Sequence, residues 1–506
     1  MPKKLQPLAP LAVLGALLLA LYLATLQRGH TWDATAYAAR SIHDPFVSEG
    51  GPATRLFHPH HLLYVPLAIV WRGLLRLFGI GGGDPFLPLQ VLNALLGAGI
   101  GVLTGAIVAH QTGRPMAALA AAAGCGLSNG VWLFSTEVEV MIPALFFYLL
   151  GVWLLARRQG RASDVGAVLS LAASVLLHQF AVLLVTPVLL ASLRVRPRRQ
   201  AALLAAAVLV LVLGTYAAAA VAAEHIRSPL AFLDWTLEMR HRSSFGHLAP
   251  ARALWLAFRA FLESFVSLAP LWRWRSASMG AYGALQVAAD LALLLALAAA
   301  ASTSLPGVLR SFAGRDAATL AWTGGIACAV AFNLWFQPGV DDFWTYLPAL
   351  VWILATTHTA LVSRSRFAAA VLLLALGSAN LAWRALPARD PRNAPYADQL
   401  DYARGHLARG DAIILGDGGA MLGEDLLALP LIEGVEIIVE PMDTSAAEAE
   451  RFRAQMLSTL ARQRRSGGKL VAPADALSAV RPFAPALQWS PADTLRGRAM
   501  FAAHER

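Results

Sequence analysis

The chain has 506 residues, 57% of them hydrophobic and 14% charged, with a formal net charge of +10. That balance excludes a soluble enzyme, since many runs reach the ~20 apolar residues that cross a bilayer. The positive excess does not point to nucleic acid, because the arginines cluster in short loops between apolar runs, as cytoplasmic anchors do, and no basic stripe is interleaved with aromatics.

Lys3 and Lys4 put the N-terminus in the cytoplasm, and residues 7–26 form a first, uncleaved span. A long external loop, 27–87, follows. Within it, residues 58–78 are apolar but carry Arg72 and Arg76 at helical spacing, which predicts a helix lying along the outer interface. Residues 88–109 return to Arg114, and 115–134 exit again. The stretch Ser135-Thr136-Glu137-Val138-Glu139-Val140 then lies outside, and 140–156 lead back to Arg157, Arg158 and Arg161. Two short spans, 164–177 and 179–193, turn at His178 on the outside, before Arg194, Arg196, Arg198 and Arg199. Residues 201–222 exit into an external stretch, 223–279, with an amphipathic segment near 251–272. Spans near 281–302, 318–336, 343–361 and 367–386 complete a count of about eleven, each near the ~20-residue requirement. This arrangement leaves Arg310, Arg315, Arg364 and Arg366 inside, and Asp341 and Asp342 outside. The two cysteines, Cys125 and Cys328, lie in apolar runs and offer neither a disulfide framework nor metal-ligand spacing.

Near Asp390 the composition changes. Pro387, Pro391 and Pro395 mark a linker, and strand-like runs at 412–415 and 435–439 alternate with helix-like runs near 397–408, 424–428 and 446–463. The expected architecture is therefore an all-α polytopic membrane domain, 1–388, followed by a small extracytoplasmic α/β domain, 389–506. Asp417-Gly418-Gly419 follows a strand but lacks the full dinucleotide-binding spacing and reads as a turn.

The external acids and histidines are where chemistry is expected. Asp33, beside Trp32 just outside the first span, is either a helix N-cap or a general base whose pKa desolvation raises. His58, His60 and His61 flank Pro59; three histidines in four residues suggest metal binding, but Pro59 breaks the two-histidine helical register, so helix orientation or phosphate binding fits them better. Glu137 and Glu139, two apart, share a face only if the chain is extended; there they suit Mg²⁺, Mn²⁺ or sugar hydroxyls, and otherwise they are charge at a helix start. His178 is either a bonded core histidine or a substrate contact. Arg240-His241-Arg242 is either a solvated loop or a phosphate clamp. Asp341 and Asp342 head a segment containing Tyr346. Most acids of the membrane part thus fall on one side, at the ends of different spans, which is the pattern of a convergent outer site.

Four stretches carry a resemblance: Asp33 with His58-Pro59-His60-His61-Leu62-Leu63-Tyr64; Phe134-Ser135-Thr136-Glu137-Val138-Glu139-Val140; Leu177-His178-Gln179-Phe180; and Asp341-Asp342-Phe343-Trp344-Thr345-Tyr346-Leu347-Pro348. Together they resemble the GT-C superfamily of integral-membrane glycosyltransferases, most closely the bacterial DUF2723 group, akin to protein O-mannosyltransferases and aminoarabinose transferases. His60 departs from the second proline usual there. The resemblance implies a polyprenyl-phosphate sugar donor, a hydroxyl acceptor activated by Asp33, and Glu137 and Glu139 as the second acidic element, holding a divalent cation if one is used. It also implies an inner-membrane enzyme whose C-terminal domain is extracytoplasmic. The competing expectations are a polytopic lipid or solute transporter, with ionisable groups nearer the bilayer midplane, and a non-catalytic envelope protein.

Overall fold

The computed structural model describes residues 9–28, 30–42, 56–80, 84, 86–157, 160–237, 248–268, 281–358, 365–389, 407, 411–415, 436–439, 469–473, 487–495 and 498–505, with a few single positions between 454 and 465. The chain divides into two compact units. One takes Met1–Leu26, Leu56–Leu74 and Pro88–Pro387; the other takes Gln27–Arg55, Leu75–Leu87 and Ala388–Arg506.

The first unit is helical. Among the described residues, five helices are long and apolar enough to cross a membrane: Leu87–Thr112, Arg198–Ala222, Val287–Ala313, Ala317–Trp335 and Arg366–Ala388. The pair Pro115–Leu127 and Asn129–Ser135, bent by 62°, makes a sixth if read as one broken span. Shorter apolar helices run over Ala9–Ala24, Met141–Arg157 and Gln179–Val195. The chain is a multi-pass membrane protein.

In chain order we label α1 (Ala9–Ala24), α2 (Trp32–Ile42), α3 (Tyr64–Arg76), α4 (Leu87–Thr112), α5 (Pro115–Leu127), α6 (Asn129–Ser135), α7 (Met141–Arg157), α8 (Arg161–Leu177), α9 (Val182–Val195), α10 (Arg198–Ala222), α11 (Pro229–Thr236), α12 (Pro250–Glu263), α13 (Ala281–Ser302), α14 (Leu305–Ala313), α15 (Ala317–Trp335), α16 (Leu347–His358) and α17 (Arg366–Asn380). At 26 residues, α4 is about 39 Å long, enough for a full crossing. It ends at Gly113, whose φ of +68° lets the chain reverse into α5, and Pro115 opens that helix where its missing N–H costs nothing. Close packing of α4 depends on small residues. A Cβ on Gly101 would meet Leu18 of α1 at 2.8 Å, and one on Gly105 would meet the Ala118 carbonyl of α5 at 2.8 Å.

The break between α5 and α6 sits at Ser128, which is extended. Broken helices survive in a membrane only when the freed backbone groups find partners, and several of the partners here come from elsewhere in the unit. Asn380 Nδ2 donates to the Leu127 carbonyl at 2.8 Å and to the Phe265 carbonyl at 2.8 Å. The Asn129 and Gly130 amides donate to the Phe265 and Ser264 carbonyls at 3.0 and 2.9 Å, so the two residues that follow α12 cap the first turn of α6. Trp352 Nε1 reaches Ser128 Oγ at 3.1 Å.

Because α4, α5–α6, α7, α8 and α9 alternate in direction, the loops sort to two ends of this unit. At one end stand Arg114, bonded to the Thr357 carbonyl at 2.9 Å, and Arg196, paired with Asp164 at 2.7 Å. At the other end lie the loop 136–140, the His178 turn and the Asp341 turn.

The second unit contains a five-stranded sheet: β1 (Ala412–Leu415), β2 (Glu436–Val439), β3 (Leu470–Pro473), β4 (Leu487–Leu495) and β5 (Arg498–Glu505), in the order β2-β1-β3-β5-β4. β1 is parallel to β2 and β3, pairing Ala412 with Glu436 and with Leu470. β5 is antiparallel to β3 and β4. The first two strands match the sequence expectation and the last three were not foreseen. Pro491 disguises β4, but it sits on an edge strand beside a bulge between Pro491 and Asp493, where a missing N–H is tolerated. The expected helices near 397–408 and 424–428, and the Asp417-Gly418-Gly419 turn, lie outside the described residues.

Candidate functional site

The acidic loop of the first unit is held from below by α4. Gln90 Nε2 donates to the Thr136 carbonyl at 2.9 Å, and Asn93 Nδ2 donates to the Glu137 and Glu139 carbonyls at 2.8 Å each. Gln90 and Asn93 are three apart, so both project from one face of the helix. Facing only carbonyls, the Asn93 amide must present its nitrogen. With the loop backbone clamped, each glutamate turns back on itself. Glu137 Oε1 accepts the Val138 N–H at 2.9 Å, and Glu139 Oε1 accepts the Val140 N–H at 2.7 Å. Both residues are buried, with 0% and 3% exposure.

The other sequence-expected residues of this unit come from separate turns. Carboxylate oxygens of Glu139 and Asp342 lie within 4.8 Å of each other. Asp342 belongs to the single helical turn Asp341–Trp344 that leads into α16. Tyr346, fully buried, approaches His178 Nδ1 through its hydroxyl at 3.1 Å. Burial, and then the charge of Glu139, raise the Tyr346 pKa well above the usual phenol range. Tyr64, at the start of α3, is raised by burial and then by Glu139 and Glu137. Both hydroxyls therefore keep their protons and remain donors. Burial pushes His178 down to about 3, with His60 adding to the effect, so the imidazole is neutral.

The histidine turn is held on several sides. His58 Nδ1 accepts the His60 N–H at 3.3 Å, and its ring stacks on His61 with centroids 4.2 Å apart. Tyr216 of α10 donates to the Pro59 carbonyl, and the Leu63 N–H donates to the Leu176 carbonyl at 2.9 Å. A bed of Leu62, Leu176, Tyr216 and Trp235 lies beneath.

Asp341 has a separate role. Its carboxyl is raised to about 6 by burial and then by Glu263, with which it hydrogen-bonds, while Arg384 and Arg259 oppose the shift. Glu263 is itself paired with Arg259 at 3.2 Å. This carboxyl pair fastens α12 to the turn that carries Asp342.

Asp33 lies in the second unit, in the first turn of α2, where the Ala34 N–H donates to Thr31 Oγ1 at 3.2 Å. Arg240, His241 and Arg242 lie outside the described residues. Sequence reasoning missed Gln90, Asn93, Glu263 and Arg259. A signal existed for the first two: a polar pair three residues apart inside an apolar run.

Comparison with solved structures places this arrangement in a known architecture. The chain aligns over 98% of its length, and 98% of the other's, with ArnT from Cupriavidus metallidurans bound to undecaprenyl phosphate, at TM-score 0.61 and 12% identity. It aligns over 98% of its length with the Archaeoglobus fulgidus oligosaccharyltransferase, crystallised in complex with Zn and sulfate, covering 73% of that chain at TM-score 0.53 and 14% identity. The chain has a GT-C-like fold. No family model matches it, and no curated protein matches it. The GT-C likeness first read from four short motifs thus extends over nearly the whole chain. In that fold the Glu137–Glu139 loop, the His178 turn and the Asp341 turn are three separate connections that meet at one end of the helical unit.

Proposed function

We propose that the chain is a glycosyltransferase that moves a sugar from a polyprenyl-phosphate-linked donor to a hydroxyl acceptor on the extracytoplasmic face of the inner membrane. The observation that carries this reading is the meeting of Glu139, Asp342, Tyr346 and His178, drawn from three connections, within a GT-C-like fold. Undecaprenyl phosphate bound to ArnT supports a polyprenyl-phosphate donor. The arginine-rich opposite end supports an extracytoplasmic site, since positive loops stay in the cytoplasm.

In this reading Asp33 takes the proton of the acceptor hydroxyl as its oxygen attacks the anomeric carbon. The bond from that carbon to the phosphate oxygen breaks, and the polyprenyl phosphate leaves with the electron pair. Arg240, His241 and Arg242 balance the charge that grows on the phosphate. Glu139 and Asp342 offer hard oxygen ligands that fit a divalent cation, with Glu137 beside them. Such an ion would supply Lewis-acid stabilisation of developing negative charge. His58, His61 and His178 contribute hydrogen bonds to substrate. The tail, 389–506, is an extracytoplasmic α/β domain.

The test is transfer from a polyprenyl-phosphate sugar by the purified protein in proteoliposomes. Asp33→Asn is expected to abolish turnover, a loss of at least about 10³-fold, while the size-exclusion profile is unchanged. Full activity of that variant would remove Asp33 from the mechanism.

A further inference from the structure

Helix α14 has two unlike sides. Gly307 lies against the end of α16, where a Cβ would stand 2.9 Å from the His358 carbonyl oxygen, and Ser311 Oγ is 3.5 Å from His358 Nδ1. On the other side Leu305, Leu309 and Phe312 are 53%, 58% and 50% exposed, and their helical spacing makes them one outward apolar row. With α13, this helix makes up the apolar run Val287–Ala313, whose 27 residues extend about 40 Å, more than the ~30 Å of hydrocarbon core. The row therefore leads from acyl depth out to the phosphate layer.

Two arginines stand at the end of that row. Arg310 and Arg315 are both exposed. Among the described residues no carboxylate is ion-paired with either, whereas Arg196 at the same end of the unit is paired with Asp164. Asp316 is engaged elsewhere: its Oδ2 accepts the Thr319 N–H and hydroxyl at 2.8 Å each and so caps α15. Two cations against one anion leave the turn positive.

Arg315 also holds an unfavourable backbone conformation, with φ at +57°. The turn imposes it, because the Gly314 and Asp316 N–H groups close back on the Arg310 and Ser311 carbonyls at 2.8 and 2.9 Å. Glycine ends a helix this way without strain, yet Gly314 stands one place earlier with an ordinary φ of −70°. An arginine in the strained place is expected where the guanidinium itself is used.

We propose that this end of α14 is a seat for an anionic phospholipid. Arg310 and Arg315 hold the headgroup phosphodiester, and the acyl chains lie along Phe312, Leu309 and Leu305. A lipid suits the seat better than free phosphate because the cations and the apolar row are continuous. An anionic headgroup suits it better than a zwitterionic one because the positive charge of the turn is left uncompensated. The seat lies at the Arg114 end of the helical unit and does not depend on the transferase reading.

Two measurements test it. Ala313, exposed beside the seat, is replaced by Cys in a background lacking Cys125 and Cys328, labelled with bimane and reconstituted in phosphatidylcholine vesicles. Dibrominated phosphatidylglycerol should quench the label with an apparent affinity about tenfold or more above that of dibrominated phosphatidylcholine, each arginine contributing about fivefold. Arg310→Gln and Arg315→Gln should each lower that ratio by about fivefold, and the Lys variants should keep it within about twofold. Equal quenching by the two lipids makes the surface ordinary lipid-facing helix and overturns the proposal; so does relief of quenching by inorganic phosphate, which makes it a free-anion site. The second measurement keeps the native cysteines and follows thermal unfolding in detergent. Arg315→Gly should melt no lower than wild type without lipid, since it relieves the strain, and should gain less than wild type from added phosphatidylglycerol. A lower melting temperature with an undiminished gain would show that Arg315 serves only the helix end, and would overturn the proposal.

Discussion

Glu137 and Glu139 look alike in the sequence, and their surroundings separate them. The carboxylate of Glu139 lies within 4.8 Å of that of Asp342, and its charge acts on Tyr346, whereas both glutamates act on Tyr64. The metal-binding role proposed above therefore falls first to Glu139 and Asp342. Titration of the purified protein with Mn²⁺, followed by electron paramagnetic resonance, should give a bound fraction that Glu139→Gln and Asp342→Asn each weaken by about tenfold or more, as loss of a ligand does. Asp341 contributes in the opposite sense. Its carboxyl is raised to about 6 in the fold, so the protonated form is the stabilising one. That contribution is complete below the unfolded carboxylate range and is lost as pH rises through about 6. Asp341→Asn should remove this loss. Above pH 7 the variant should be more stable than wild type by on the order of 1 kcal/mol, allowing for screening by nearby Arg384 and Arg259, and thermal unfolding in detergent at pH 5 and 8 checks the sign.

At the scale of elements, the acidic loop exists because α4 runs beneath it and α5–α6 is broken beside it. Asn93 is fully buried and clamps two carbonyls of the loop. Replacing it by Leu should strand both carbonyls at about 1–3 kcal/mol each. The expected outcome is a lowered melting temperature and a loss of transfer activity greater than any change in KM, read by thermal shift and steady-state kinetics. The alternation of apolar runs and arginine clusters made most of these helices legible in advance, including the breaks at His178 and after Phe134. The clamp was not legible in the same way. Gln90 and Asn93 are visible as polar residues in a span, but their partners are backbone carbonyls 44 and 46 residues away for Asn93, and backbone groups leave no trace in the residue pattern. The same holds for Asn380, which joins the break after Leu127 to the end of α12 across 253 residues.

At the scale of the whole molecule, the proposed extracytoplasmic site is tested by side-specific labelling of each end of the helical unit. A single cysteine at Arg465, in a background lacking Cys125 and Cys328, is expected to react with a membrane-impermeant maleimide in spheroplasts. A cysteine at Arg194 is expected to be protected until lysis. The reverse labelling would invert the positive-inside assignment and with it the extracytoplasmic site. By itself the sequence determined that this is a polytopic membrane protein with acids gathered at the ends of its spans, because hydropathy and charge asymmetry are local properties summed along the chain. The GT-C likeness was also within reach there, through four short motifs. Only the tertiary structure decided that Glu139 meets Asp342, that Tyr346 meets His178, and that Asn93 holds the loop. Each of these contacts joins distant stretches of chain, and their pairing is set by how the helices pack rather than by any periodicity within one of them.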